Sequence, residues 1–181
     1  MMAREASARL KSFFYWSLRR SFKDLGFYAP EVADYISGTL ARFARSEALY
    51  RLESGGALPL PESVVEMMIV ANESALAGDA DREREIRKHE ADYILFMAGL
   101  FRRYLERRRY LGFYLEQGRH DYHFLFEFER ARFRPEAALY LELSESFEGY
   151  VGALNYMRQV YFRDRRGESL AALREDLKRL T

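Results

Sequence analysis

The sequence predicts an all-α protein, a single compact multi-helix bundle with a buried central helix, forming one domain over 1–181. Three observations carry this reading. Residues 93–101 are nine consecutive positions without charge or amide, flanked by the charged runs 81–90 and 102–109. A helix that is apolar on every side must be covered on every side. A nine-residue stretch rises only about 13 Å, far short of the ~30 Å of a bilayer core. Apolar residues also recur at spacings of three and four through most of the remaining chain. Finally, 4 Pro and 11 Gly are few for the turns of an all-β protein of 181 residues.

The elements follow in order. A first helix is expected over 4–25, with Leu10, Phe14, Leu18, Phe22 and Leu25 on one stripe and Gly26 as its stop. Pro30 and Glu31 suit the first turn of a second helix over 30–52, whose stripe is Val32, Ile36, Leu40, Phe43 and Leu49. Gly55, Gly56, Pro59 and Pro61 mark a loop, followed by a third helix over 62–77. The fourth runs over 81–110 and contains the apolar block. Its acids lie first and its arginines last, which matches the helix dipole.

Gly112 and Gly118 interrupt the next stretch, and Phe124, Phe126 and Phe128 alternate as they would in a strand. A lone strand would have no partner, so a helix is expected over 119–133. Pro135 opens a sixth helix over 135–162 with the seam Leu139, Leu143, Phe147, Tyr150, Leu154 and Met157. A turn over 164–167 precedes a short closing helix carrying Leu170, Leu173, Leu177 and Leu180.

Composition narrows the function classes. The net charge is +1, from 29 basic and 28 acidic residues, so no nucleic-acid partner is expected. Cysteine is absent, which excludes disulfides and thiolate chemistry and suits a reducing cytoplasm. Residues 1–12 lack the apolar core of a secretory signal, and no run reaches the ~18 apolar residues of a membrane span. The expected location is therefore cytoplasmic.

The run from Lys88 through His89, Asp92 and Tyr93 to Leu95, Phe96, Gly99, Leu100 and Phe101 resembles the signature of an uncharacterised family of bacterial helical proteins. Phe43, Ala44 and Arg45 with Leu49 and Tyr50, and Leu154 with Asn155, are similar to it as well, over roughly 34–162. The chain departs from that pattern at Glu90 and Ala91, where the family carries Ile and Gly. The resemblance implies a helical fold and no particular activity.

His89, Asp92 and Tyr93 form the first candidate site. Spacings of three and four place them on one helix face. A carboxylate beside a histidine can fix its tautomer for general-base or ligand chemistry. The same trio can equally serve as a hydrogen-bonded polar layer. Asn155, in the apolar seam of the sixth helix, is a fourth candidate ligand-binding residue. Glu116, His120, His123 and Glu127, at offsets of 0, 4, 7 and 11, form a weaker metal candidate. No histidine has Glu three positions before it, so the ferritin-like Glu-x-x-His pattern is missing. The arginines from Arg102 to Arg109 read as complements to a helix C-terminus, with phosphate binding as the sharper alternative. The first helix sets Phe13, Phe14, Tyr15 and Trp16 among basic residues, a pattern of packing or dimer contact, with membrane association as a lesser option.

No phosphate loop, serine-nucleophile elbow or His-Glu-x-x-His motif occurs, and no cofactor is indicated. The expectation is an interaction or regulatory protein, homodimeric. The alternative is a small-molecule- or metal-binding helical protein, catalytic or not, centred on the His/Asp/Tyr group.

Overall fold

The computed structural model describes residues 2–44 and 61–161, and every regular element among them is helical. The helices are α1 Met2–Leu25, α2 Pro30–Ala44, α3 Pro61–Leu76, α4 Ala80–Leu100, α5 Arg102–Arg107, α6 Leu111–Arg130, α7 Glu136–Glu145 and α8 Phe147–Tyr161. None of them is long and apolar enough to cross a membrane. They fall into two units, residues 1–58 with 152–181 and residues 59–151, so α8 starts in the second and ends in the first. The expected continuation of α2 to residue 52 and the closing helix after 167 lie outside the described residues.

In the first unit, Leu10, Phe14, Leu18 and Phe22 recur every four residues, and all are buried. Val32, Ile36, Leu40 and Phe43 form the buried stripe of α2, which packs against α1. Each such side chain contributes roughly 1.5–3 kcal/mol on burial. Leu25 departs from the expected stripe and is exposed, because α1 ends there. Gly26 adopts φ +80° and turns the chain. The end of α8 is fastened to the end of α1 by the Tyr156 and Tyr161 hydroxyls, which donate to Asp24 Oδ2 at 3.2 and 2.9 Å.

In the second unit, α4 packs against α3 and α6, and α6 packs against α7. Asp79 caps α4 by accepting from the Arg82 N–H at 3.1 Å. Every residue from 90 to 101 is buried, so the apolar block is enclosed as its composition requires.

Three boundaries differ from expectation. The helix predicted over 81–110 breaks at Phe101 (φ −120°), giving α4 and the short α5. The helix predicted over 135–162 breaks at Ser146 (φ −107°). There, Ser144 Oγ donates to the Leu141 carbonyl at 2.8 Å, a local bond that competes with helical pairing. Most of the seam survives, since Leu143, Phe147, Tyr150, Leu154 and Met157 are all buried.

The third difference is the helix predicted over 119–133, which instead spans Leu111–Arg130 and contains Gly118. A Cβ there would lie 2.4 Å from Phe147 Cζ and 2.8 Å from Ile94 Cγ2. The glycine marks a close contact between packed elements, not a breaker. Gly118→Ala gains about 1 kcal/mol of helix propensity but overpacks a buried ring, so a net loss of about 1–2 kcal/mol is expected. Urea unfolding monitored by circular dichroism measures it, and an unchanged midpoint would contradict the close-contact role.

Candidate functional site

The polar centre of the second unit lies where the first half of α4 faces α6. Glu83, Arg87 and Glu90 follow one another at spacings of four and three, and share a helix face. Across from them, Gln117 and Asp121 are one turn apart on α6. The Arg87 guanidinium joins three elements. Its Nε donates to Glu83 Oε1 at 2.8 Å, its Nη1 to Asp121 Oδ1 at 3.2 Å, and its Nη2 to Asn72 Oδ1 of α3 at 3.1 Å. Its carbon Cζ also lies 4.8 Å from the centre of the Phe124 ring. Gln117 Nε2 donates to both Asp121 oxygens, at 3.1 and 3.2 Å.

Two further buried carboxylates on this seam have their own cations. Glu129 accepts from Arg84 Nε at 2.8 Å and from Arg134 Nη1 at 3.1 Å. Asp92 accepts from Lys88 Nζ at 2.9 Å and from the Tyr122 hydroxyl at 2.8 Å. The Tyr122 ring is stacked on Tyr140 at 6.1 Å.

Glu90 is the exception. It is fully buried, and no donor reaches either of its carboxyl oxygens in bonding geometry. Burial, reinforced by the negative charge of Asp121, pushes it up to about 8, against the smaller opposing pull of the Arg87 charge. At neutral pH Glu90 is therefore a neutral acid. Its hydroxyl can donate to Asp121, which itself accepts from Arg87 and Gln117. Glu90 and Asp121 are both wholly out of solvent.

The predicted sites are placed as follows. His89 is exposed, whereas Asp92 and Tyr93 are buried, so the face they share passes from solvent to interior between them. Tyr93 lies beside Tyr114 and Tyr104. Burial, then the neighbouring Tyr114, pushes its hydroxyl well above the usual phenol range. Burial pushes Tyr114 up to about 12, so both stay neutral. Asn155 is half-buried and belongs to the first unit's stretch of α8. Glu116, His120 and His123 are exposed along α6, with Glu127 half-buried. Their shared helix face is real, but no three His, Asp or Glu side chains gather as a metal site among the described residues. Arg102 pairs with Glu106 at 2.8 Å, an ordinary exposed helix pair.

Sequence reasoning missed Arg87, Glu90, Gln117 and Asp121. The spacings of 83, 87 and 90, and of 117 and 121, are a helical signal, but exposed charged faces carry the same one.

These features define an all-α protein with an enclosed ionic layer between two helices. No family model matches the chain, and neither a curated protein nor a solved structure is detectably similar to it.

Proposed function

We propose that this is a helical interaction protein that self-associates through the outward face of α3. The observation that carries the reading is the exposed apolar stripe on that helix. Val65, Ile69 and Leu76 retain 43%, 51% and 89% of their accessible surface. Val65, Ile69 and Leu76, at spacings of four and seven, share one helix face. The opposite side of α3 is already used, with Val64, Ala71 and Ser74 buried. Polar chemistry also favours a binding role over a catalytic one, because Glu90, Asp92, Asp121 and Glu129 are all sealed from solvent. A cytoplasmic location is part of the same proposal, supported by the absence of cysteine. So is membership of the uncharacterised helical family, supported by the run around His89 and Asp92.

The charges on α3 make the test specific. Glu66 and Glu73 are exposed beside the stripe, and α3 carries no basic residue. A self-pair brings like charges together, so it tightens as salt screens them. A basic partner would be released by salt instead. Size-exclusion chromatography with light scattering is expected to give about twice 21.4 kDa, with the dimer fraction rising with salt. Ile69→Asp is expected to give a folded monomer. A wild-type chain that stays at 21.4 kDa at all concentrations and salts would overturn the proposal.

A further inference from the structure

We propose that the groove beside the C-terminal half of α1 binds a small amphipathic anion, an aromatic or apolar body carrying a carboxylate, sulfonate or phosphate. The groove is open to solvent, has a volume of about 710 Å³ and is lined by residues of α1 and of the turn that follows it. That volume falls within the range of small-ligand sites.

The sequence builds it simply. Trp16, Arg19, Arg20 and Lys23 fall at offsets of 0, 3, 4 and 7, so they share one face of α1. Gly26, at φ +80°, lets the chain fold back beside that face. The Phe27 N–H closes the turn on the Phe22 carbonyl at 2.7 Å, and the two rings lie 5.9 Å apart. Phe22 is buried and gives the groove an apolar base. Trp16 and Tyr28 flank it with 64% and 85% of their surfaces accessible, an unusual exposure for such large rings.

Charge complementarity selects the occupant. Arg19, Arg20 and Lys23 line the groove and no acidic side chain does. Among the described residues, none of the three forms an ion pair. Arg19 instead lies 5.5 Å from the centre of the Tyr28 ring. The nearest acid in sequence, Asp24, accepts from Tyr156 and Tyr161. The C-terminal carbonyls of α1 disfavour an anion, but those of Phe22 and Lys23 are already taken by the N–H groups of Phe27 and Gly26. A flat body stacked against the exposed rings, with its head among three cations, satisfies both halves of the site.

Trp16 is the only tryptophan, so its emission reports this groove alone. The probe is 8-anilinonaphthalene-1-sulfonate, titrated into the full chain. Saturable quenching of Trp16 with energy transfer to the dye is expected. The triple variant Arg19→Gln, Arg20→Gln, Lys23→Gln should weaken binding at least about tenfold, the loss of one charge-assisted contact. The uncharged N-phenyl-1-naphthylamine should bind wild type and variant alike. Trp16 emission that does not respond to the dye, or equal dye affinity in the triple variant, would overturn the assignment. So would co-sedimentation with phosphatidylglycerol vesicles in a chain that does not bind the soluble dye. None of these readouts depends on the oligomeric state, so the self-association proposal stands or falls separately.

Discussion

Arg87→Met is expected to lower the unfolding free energy by about 3–5 kcal/mol, the usual cost of removing one partner from a buried ion pair. Arg87 is nearly enclosed and holds Glu83, Asp121 and Asn72 together. Methionine fills part of the same volume but donates nothing. Asp121, fully buried, would lose its guanidinium partner and keep only Gln117 as a donor among these contacts. Burial also limits screening, so added salt should not restore the loss. The companion variant Arg87→Met/Asp121→Asn should be clearly less destabilised than the sum of its single changes, because the second change removes the stranded charge. Urea unfolding reads both. A single-variant loss below about 1 kcal/mol would show that the network is ornamental.

Glu90→Gln is expected to stabilise the protein above neutral pH. A carboxyl raised in the folded state behaves oppositely to the common lowered one. Below the ordinary carboxyl range of about 4.3, Glu90 is protonated whether folded or not, and imposes no pH-dependent penalty. As pH rises above that range, the unfolded chain releases the proton while the folded chain keeps it, so stability falls. The fall continues until the folded-state value of about 8 is passed. The stability lost between about pH 5 and about pH 8 is expected to reach a few kcal/mol. Glutamine cannot ionise, and its amide can donate to Asp121 as the protonated acid does. The variant should therefore match wild type near pH 5, exceed it at pH 8, and show a flatter stability profile. Chemical unfolding at several pH values provides the test. Parallel pH profiles for the two proteins would mean that Glu90 is not the titrating group.

The position of Glu90 shows why the fold was more legible than the site. Its local spacing from Glu83 and Arg87 is that of any charged helix face, and Glu66 and Glu73 have the same seven-residue relation while lying in solvent. Nothing within α4 distinguishes an acid that meets Asp121 from one that meets water. The same holds for His89, which shares a face with Asp92 and Tyr93 and yet is exposed. Gly118 illustrates the point for the backbone, since a glycine that breaks a helix and one that admits a neighbouring ring look identical in sequence.

The amino-acid sequence by itself determined the helical class, the seam of α1 from Leu10 to Phe22 and of α2 from Val32 to Phe43, and the enclosure of residues 93–101. Periodicity and the cost of exposing apolar surface act within a single helix, and both can be read along the chain. The tertiary structure alone decided which acids are buried, which cations hold them, and where α4 and α7 end. Those outcomes depend on partners distant in sequence, such as the 34 residues separating Arg87 from Asp121. The free energy of a charge is set by what packing places beside it, and no local pattern encodes that.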